Sequence, residues 1–367
     1  LSEALKSALI AEAHRQGFFL AGVTTADPPE SFPRFRQWVA EGKHAGMGYL
    51  ATGRSLARRA DPRAILPECR SILVLALPYV PPEKGQAGVA AYAVGDDYHD
   101  VLKPRLGALV AFLEEQTGTP VPNRWYTDTG PVLERDLARR AGLGWIGKNS
   151  MLIHPQKGSY FFLAEVLLGI DLPPDPPFES DHCGTCTRCL DACPTGCILP
   201  DRTLDAGRCI SYLTIENKGE IPEELRPLVG EWLFGCDVCQ QVCPWNRFAE
   251  QEVESNFAPR PDIPPQNAAD ELDLKPRDFN RKFKGSPLKR AKRRGYLRNA
   301  AVVSGNRADP DGLLQLVAAL QDEEPLVRQH AAWALGQIGT KKAIAALKEA
   351  YPQETYPAVL EEIRQVI

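Results

Sequence analysis

The chain has 367 residues, of which 44% are hydrophobic and 25% charged, and a formal net charge of -4. That length allows two or three domains with cores of their own, and the composition excludes disorder and gives no global pull toward nucleic acid. The longest apolar runs, 71–78 and 161–170 with Glu165 inside it, fall far short of the ~20 residues a helix needs to cross a bilayer. Residues 1–23 show helical periodicity broken by charge, with neither the apolar core of a signal peptide nor a twin-arginine stretch, and read as a folded first helix and strand.

Periodicity then predicts, in chain order, helix 2–15, strand 18–24, helix 31–42, strand 71–78, helix 100–116, strand 124–128, helix 131–141 and strands at 150–154 and 160–168. Alternation of this kind makes residues 1–175 an α/β domain. Pro131 suits the first turn of a helix, where its missing N–H costs nothing, and so places Asp128 at a strand end facing a helix start. Asp97 reads as a helix N-cap. Asp97-Tyr98-His99 brushes against a D-x-H-x-x-G cobalt-ligand motif, but Leu102 stands where glycine is required, so His99 reads as a surface or packing residue. Gly142, Gly144 and Gly147 spell G-x-G-x-x-G after a helix and before a strand, the wrong order for a dinucleotide site.

The prolines at 173, 174, 176 and 177 mark a linker, and a second proline-rich loop, 258–266, marks another boundary. Between them lie most of the ten cysteines. Cys183, Cys186, Cys189 and Cys193 spell C-x2-C-x2-C-x3-C before Pro194. Cys236, Cys239 and Cys243 spell C-x2-C-x3-C before Pro244, with Cys209 between the two runs. Neither a zinc ribbon nor a disulfide scaffold accounts for three cysteines at such spacing before a proline. A cubane does, because its iron corners lie so close together that a short irregular loop must turn three thiolates inward. The fourth cysteine of such a run normally reaches the other cluster. This assigns Cys183, Cys186, Cys189 and Cys243 to one [4Fe-4S] cluster, and Cys193, Cys209, Cys236 and Cys239 to a second. Cys69 and Cys197 read as small buried apolar residues. Thiolate ligation favours a reducing cytoplasm.

From Leu274 to Arg298 eleven cations face one acid, Asp278, a local charge of +10. The helical stretch 328–336 looks like the second helix of a HEAT repeat. A weaker echo at 299–305 aligns Gly305 with Gly336.

The runs Tyr92 to His99, Asp128 to Arg135, Ala141 to Asn149, Cys209 to Glu216 and Gly235 to Gln240, joined to the double cluster motif, closely resemble epoxyqueuosine reductase over nearly the whole chain. The resemblance implies removal of the epoxide oxygen of epoxyqueuosine in the tRNA anticodon loop, the last step of queuosine synthesis, with cobalamin and two [4Fe-4S] clusters. Clusters pass electrons singly, and cobalamin reduced to Co(I) supplies the two-electron nucleophile between them and the substrate. The family's proton donor falls on Asp128. An exposed aspartate has a pKa near ~3.9, so the corrin would have to raise it. Arg59, Tyr92, Leu152, Leu163 and Ser211 match positions that line cobalamin; Arg135 lies near the site, and Cys236 and Asp237 would bring the second cluster to the corrin. The basic stretch, through Lys282, Lys284, Lys289, Arg290, Lys292, Arg293, Arg294 and Arg298, is expected to hold the phosphates of the anticodon stem-loop.

The expected fold class is therefore a multidomain α+β protein: an α/β cobalamin-binding domain (1–175), a ferredoxin-like two-cluster module (176–258) and C-terminal HEAT-like helices (259–367). It is expected to act as a cytoplasmic monomer served by an external electron donor. Two readings compete. A corrinoid reductive dehalogenase usually carries a twin-arginine leader and has no use for a basic helical domain; an electron-transfer or HEAT scaffold needs no long α/β domain.

Overall fold

The computed structural model describes residues 3–83, 88–251, 254–308 and 310–367. They form two compact units whose segments interleave along the chain: 1–83, 96–206 and 238–258 in the first, and 84–95, 207–237 and 259–367 in the second.

The first unit begins with α1 (Glu3–Arg15), β1 (Leu20–Thr25), α2 (Phe32–Ala40), α3 (Gly53–Ala60) and β2 (Ser71–Pro78). It continues with α4 (Tyr98–Thr117), β3 (Asn123–Tyr126), α5 (Glu134–Arg140), β4 (Trp145–Ile146), β5 (Leu152–Ile153), β6 (Phe161–Leu168) and α6 (Arg188–Ala192). After α7 (Ile210–Ile215) and α8 (Arg226–Val229), which belong to the second unit, α9 (Val238–Gln241) returns to the first. The main sheet has the order β1-β2-β6-β3, with every pair antiparallel. Alternating helices and strands fixed the order of elements but not the direction of pairing.

β2 reads Ser-Ile-Leu-Val-Leu-Ala-Leu-Pro and is buried along its whole length, as a central strand with apolar side chains on both faces must be. Ile72, Val74 and Ala76 share a core with Leu167 of β6 and with Leu137 and Ala138 of α5. On the opposite face Tyr98, at the start of α4, stacks on Phe162 with ring centroids 4.5 Å apart. Asp97 caps α4 by accepting from the His99 N–H at 3.0 Å.

Three local expectations change. The helix predicted from Pro131 starts at Glu134 instead, because residues 128–133 form a loop whose backbone is held by the Glu134 side chain. Only Leu152–Ile153 of the strand expected at 150–154 pairs, with Trp145–Ile146. The G-x-G-x-x-G run contains β4, and its glycine at 144 is required by packing, since a Cβ there would sit 2.2 Å from the carbonyl oxygen of Ile153.

In the second unit α10 (Pro276–Lys282), α11 (Lys292–Arg307), α12 (Leu313–Ala319), α13 (Pro325–Ile338), α14 (Lys341–Ala350) and α15 (Pro357–Arg364) follow one another. α11 and α13 pack closely: a Cβ on Gly305 would lie 2.6 Å from the Trp333 ring and 2.9 Å from the Ala334 Cα. Gly336, its counterpart in the repeat, meets Val366 in the same way, at 2.6 Å. Among the described residues no helix is long and apolar enough to cross a membrane.

Candidate active site and cluster loops

Asp128 follows β3 and takes φ +57°, a left-handed conformation that aspartate tolerates better than most residues. Its side chain is at the surface, where Oδ2 accepts from the Tyr98 hydroxyl at 2.8 Å. Its N–H donates to Oε1 of Glu134 at 2.6 Å. Tyr98 comes from the Phe162 face of the sheet and Glu134 from the α5 face, so the aspartate loop is pinned across the sheet end from both sides. The Thr127 hydroxyl donates to the Leu163 carbonyl at 2.8 Å and fixes the loop's root to β6. Gly130 has no substitute here, since a Cβ would lie 2.5 Å from the Tyr126 ring.

Two further carboxyl groups stand behind Asp128. Glu165, on β6 opposite Val74 and Tyr126, is 0% exposed, and neither of its carboxyl oxygens has a hydrogen-bond partner in the protein. Burial, reinforced by the charges of Glu134 and Asp128, pushes its pKa well above the carboxylate range. Glu134 is pushed up to about 7, first by burial and then by Asp128, with the Arg135 and Arg59 charges opposing.

Arg59 is buried on α3, donates to Ser55 and, at 3.4 Å, to the Gly130 carbonyl, and lies over the Phe35 ring. Arg135 is exposed beside Glu134. Leu152 is buried in the α5-face core, with Leu163 packed against it. His99 Nδ1 lies 2.8 Å from Asp97 Oδ1, a hydrogen bond that raises the imidazole pKa, while its buried Nε2 has no protein partner. The orphaned imidazole nitrogen and the pinned acid suit a large polar cofactor, whereas Leu152 is packed into the core.

In the second unit the remaining expected contacts are tied to one another. Ala90 donates to the Phe234 carbonyl at 2.8 Å, and the Ala91 N–H donates to the buried Asp237 carboxylate at 2.6 Å. Tyr92 packs on Phe234 with centroids 6.3 Å apart, beside Cys236 in sequence. Ser211 lies in the first turn of α7.

None of the ten cysteines forms a disulfide. Cys189 feels the charges of Cys183, Cys243 and Cys186, and burial raises the pKa of Cys189 and Cys243. The Trp145 indole donates to Cys183 Sγ at 3.5 Å, and Trp145, His182 and Trp245 pack on one another. Cys69 is buried and its thiol is pushed up to about 11 by desolvation. Cys197 is also buried, yet it does more than fill space: its Sγ lies 3.5 Å from Cys193 Sγ, and this contact holds the Cys193 thiol down at about 5.

The basic stretch divides. Lys284, Lys289, Arg290, Lys292 and Arg294 are exposed. Arg298 is not a surface residue: it is 0% exposed and donates to the carbonyls of Leu213, Asn217 and Gly219 and to the Asn299 side chain. Arg293 is committed to Asp322 and Lys282 to Glu271. Arg298, Arg293 and Lys282 are structural because acceptors claim their donors, and Arg290, though exposed, is paired with Glu216.

Sequence reasoning overlooked Glu134, Glu165 and Tyr98, and read Cys197 only as a small buried residue. For Glu165 the signal was present as the single acid inside the apolar run 161–170.

A family model for the 4Fe-4S double cluster binding domain matches residues 182–246, one described as epoxyqueuosine reductase QueG matches 59–129, and one for HEAT repeats matches 289–367. The chain is 40% identical over 335 residues to the epoxyqueuosine reductase of Pseudomonas aeruginosa, covering 88% of this chain and 91% of that one. With the Escherichia coli K12 enzyme identity is 38% over 330 residues, covering 88% and 86%. A crystal structure of an epoxyqueuosine reductase with an epoxyqueuosine-modified tRNA-Tyr stem loop superposes with a TM-score of 0.92 at 34% identity, over 99% of this chain and 98% of that one. A Bacillus subtilis epoxyqueuosine reductase, whose catalytic aspartate loop is swung out of its active site, gives 0.89 at 34% identity over the same shares.

Proposed function

Because the chain belongs to the epoxyqueuosine reductase family, we propose that it converts epoxyqueuosine to queuosine in the tRNA anticodon loop with Asp128 as the proton donor. The observation that carries the assignment is the left-handed Asp128, held between the Tyr98 hydroxyl and Glu134, with its carboxyl at the surface. Cobalamin, when bound, would supply two-electron reducing chemistry. Arg59, Tyr92, Arg135, Leu152, Leu163, Ser211, Cys236 and Asp237 are the residues we assign to holding it. Residues 1–175 carry this chemistry, 176–258 the two clusters, and 259–367 the RNA contact.

Cys183, Cys186, Cys189 and Cys243 would hold one cluster, and Cys193, Cys209, Cys236 and Cys239 the other. An external donor in the cytoplasm would feed them electrons. Lys284, Lys289, Arg290, Lys292 and Arg294 would meet the phosphates of the anticodon stem, which positions the RNA without reading its sequence. The protein acts as a monomer in this reading.

Replacing Asp128 by Asn tests the reading. The variant should keep both clusters and cobalamin while turnover falls by ~10² to 10⁴-fold, the usual value of general acid catalysis. Near-parental turnover with full cofactor loading would remove Asp128 from the mechanism. In cells lacking the protein, epoxyqueuosine should accumulate in tRNA and disappear when the gene is returned.

A further inference from the structure

The run Gly142 to Lys148 spells G-x-G-x-x-G-K, yet its place between α5 and the β4–β5 hairpin excludes a dinucleotide site. Its glycines close the hairpin. A Cβ on Gly144 would lie 2.2 Å from the Ile153 carbonyl oxygen, and one on Gly147 would lie 2.6 Å from the Ile153 side chain. Trp145 pairs with Ile153 across the hairpin and is 3% exposed. Its ring is fixed by Phe178, at 5.8 Å between centroids, and His182, at 4.9 Å. Held so, its indole N–H donates to Cys183 Sγ at 3.5 Å. Further along the same run, the Lys148 ammonium donates to the carbonyls of Gly184 and Cys186, each at 2.8 Å. One hairpin thus delivers a hydrogen-bond donor and a cation to the loop that carries Cys183, Cys186 and Cys189.

We propose that Trp145 and Lys148 raise the reduction potential of the cluster assigned to Cys183, Cys186, Cys189 and Cys243, so that it accepts an electron more readily; this rests on those cysteines being its ligands. A thiolate bound to iron has no proton and can only accept, and an indole N–H can only donate, so the contact suits a ligated Cys183 without change. Taking up one electron adds one negative charge to the cluster and its thiolates. A hydrogen bond to a ligating sulfur, or a positive charge beside the loop, therefore stabilises the reduced form more than the oxidised one. Asp181 opposes this, since it accepts from the Cys183 N–H at 2.9 Å, but it is paired with Arg202, and Lys148 is the surplus charge of the three. Packing on Phe178 and His182 needs only an aromatic ring; the indole N–H is what phenylalanine would lack.

The test is a redox titration of anaerobically reconstituted protein, with the reduced clusters followed by electron paramagnetic resonance, in the parent and in Trp145→Phe, Lys148→Met and Lys148→Arg. Trp145→Phe should lower the potential of one cluster, so that its reduced-to-oxidised ratio at a fixed ambient potential falls roughly tenfold, about 59 mV for a one-electron couple. Lys148→Met should lower the same cluster by a smaller step, Lys148→Arg should stay with the parent, and the other cluster should hold its potential throughout. A merely structural role predicts the opposite sign, because a loosened loop admits water, and water stabilises the more highly charged reduced cluster. Parental potentials for both clusters in Trp145→Phe and Lys148→Met, or a rise in either variant, overturn the proposal. Lys148 is only half-buried, so Lys148→Met decides the question should Trp145→Phe fail to load its iron. A Cys183→Ala protein that keeps its full iron content and both signals would instead show that Cys183 is no ligand, and the proposal falls with that assignment.

Discussion

The two units bury ionisable side chains in opposite ways. Arg298 in the second unit is 0% exposed and every nitrogen of its guanidinium donates, at 2.5 to 3.0 Å, to carbonyl oxygens of residues 213–219 or to Asn299. Burial draws its pKa down only to about 9, so it stays charged at neutral pH. Glu165 in the first unit is as deeply buried and receives nothing. Buried polar groups are ordinarily satisfied, so a carboxyl without a protein partner is a cost to the fold. Arg298 and its acceptors are a staple that joins α11 to the segment around α7, whereas the carboxyl group of Glu165 is a cost that architecture does not need.

Stability measurements can break this contrast. The largest effect should come from Arg298→Met, which strands several buried carbonyls: about 3 to 5 kcal/mol lost in denaturant melts, as when one partner of a buried charged network is removed. A loss under about 1 kcal/mol would mean that Arg298 is no staple. Glu165→Leu should move the other way, gaining roughly 1 to 3 kcal/mol by removing an unsatisfied buried group.

The contrast also has a pH signature. Glu134 is raised in the fold from its ordinary 4.5 to about 7, so the native state binds its proton more tightly than the unfolded chain does. That contribution to stability is fully present below pH 4.5 and is lost as pH rises through 7. Melts of Glu134→Gln should lack this decline. In the second unit burial lowers His330 well below 6.5, which works in reverse: its contribution is present above 6.5 and lost as pH falls.

The smallest effect on stability should come from the exposed cations. Reversing Lys284, Lys289, Lys292 and Arg294 to Glu should change the melt by no more than about 0.5 kcal/mol. The same variant should weaken tRNA binding and flatten its dependence on log salt by roughly 0.7 to 0.9 per lost phosphate contact. Unchanged binding across several salt concentrations would place the RNA path elsewhere.

How much of this could be read from the chain depended on how local each cause was. β2 was legible to the residue because eight consecutive side chains are all buried. The Asp97 cap was legible because a cap acts within two residues. The start of α5 was not, since Pro131 obeyed a local rule that a side chain six residues from Asp128 overrode. Burial of Arg298 was hidden for a similar reason: its acceptors lie some eighty residues away, so a run of like charge gave no hint that one member had left the surface. Asp128 was found through family likeness; the carboxyl groups behind it come from two other segments, and only the oddity of an acid inside an apolar strand pointed to one of them.

The interleaving of the two units matters for biosynthesis. The first unit closes only when residues 238–258 have left the ribosome, by which time 84–95 and 207–237, which belong to the other, are already out. Domains usually fold in turn as they emerge. Here neither unit can close until the chain has passed residue 258, by which time the cysteines from Cys183 to Cys243 have all emerged. A chain truncated by a stop codon between 206 and 237 would release no usable half.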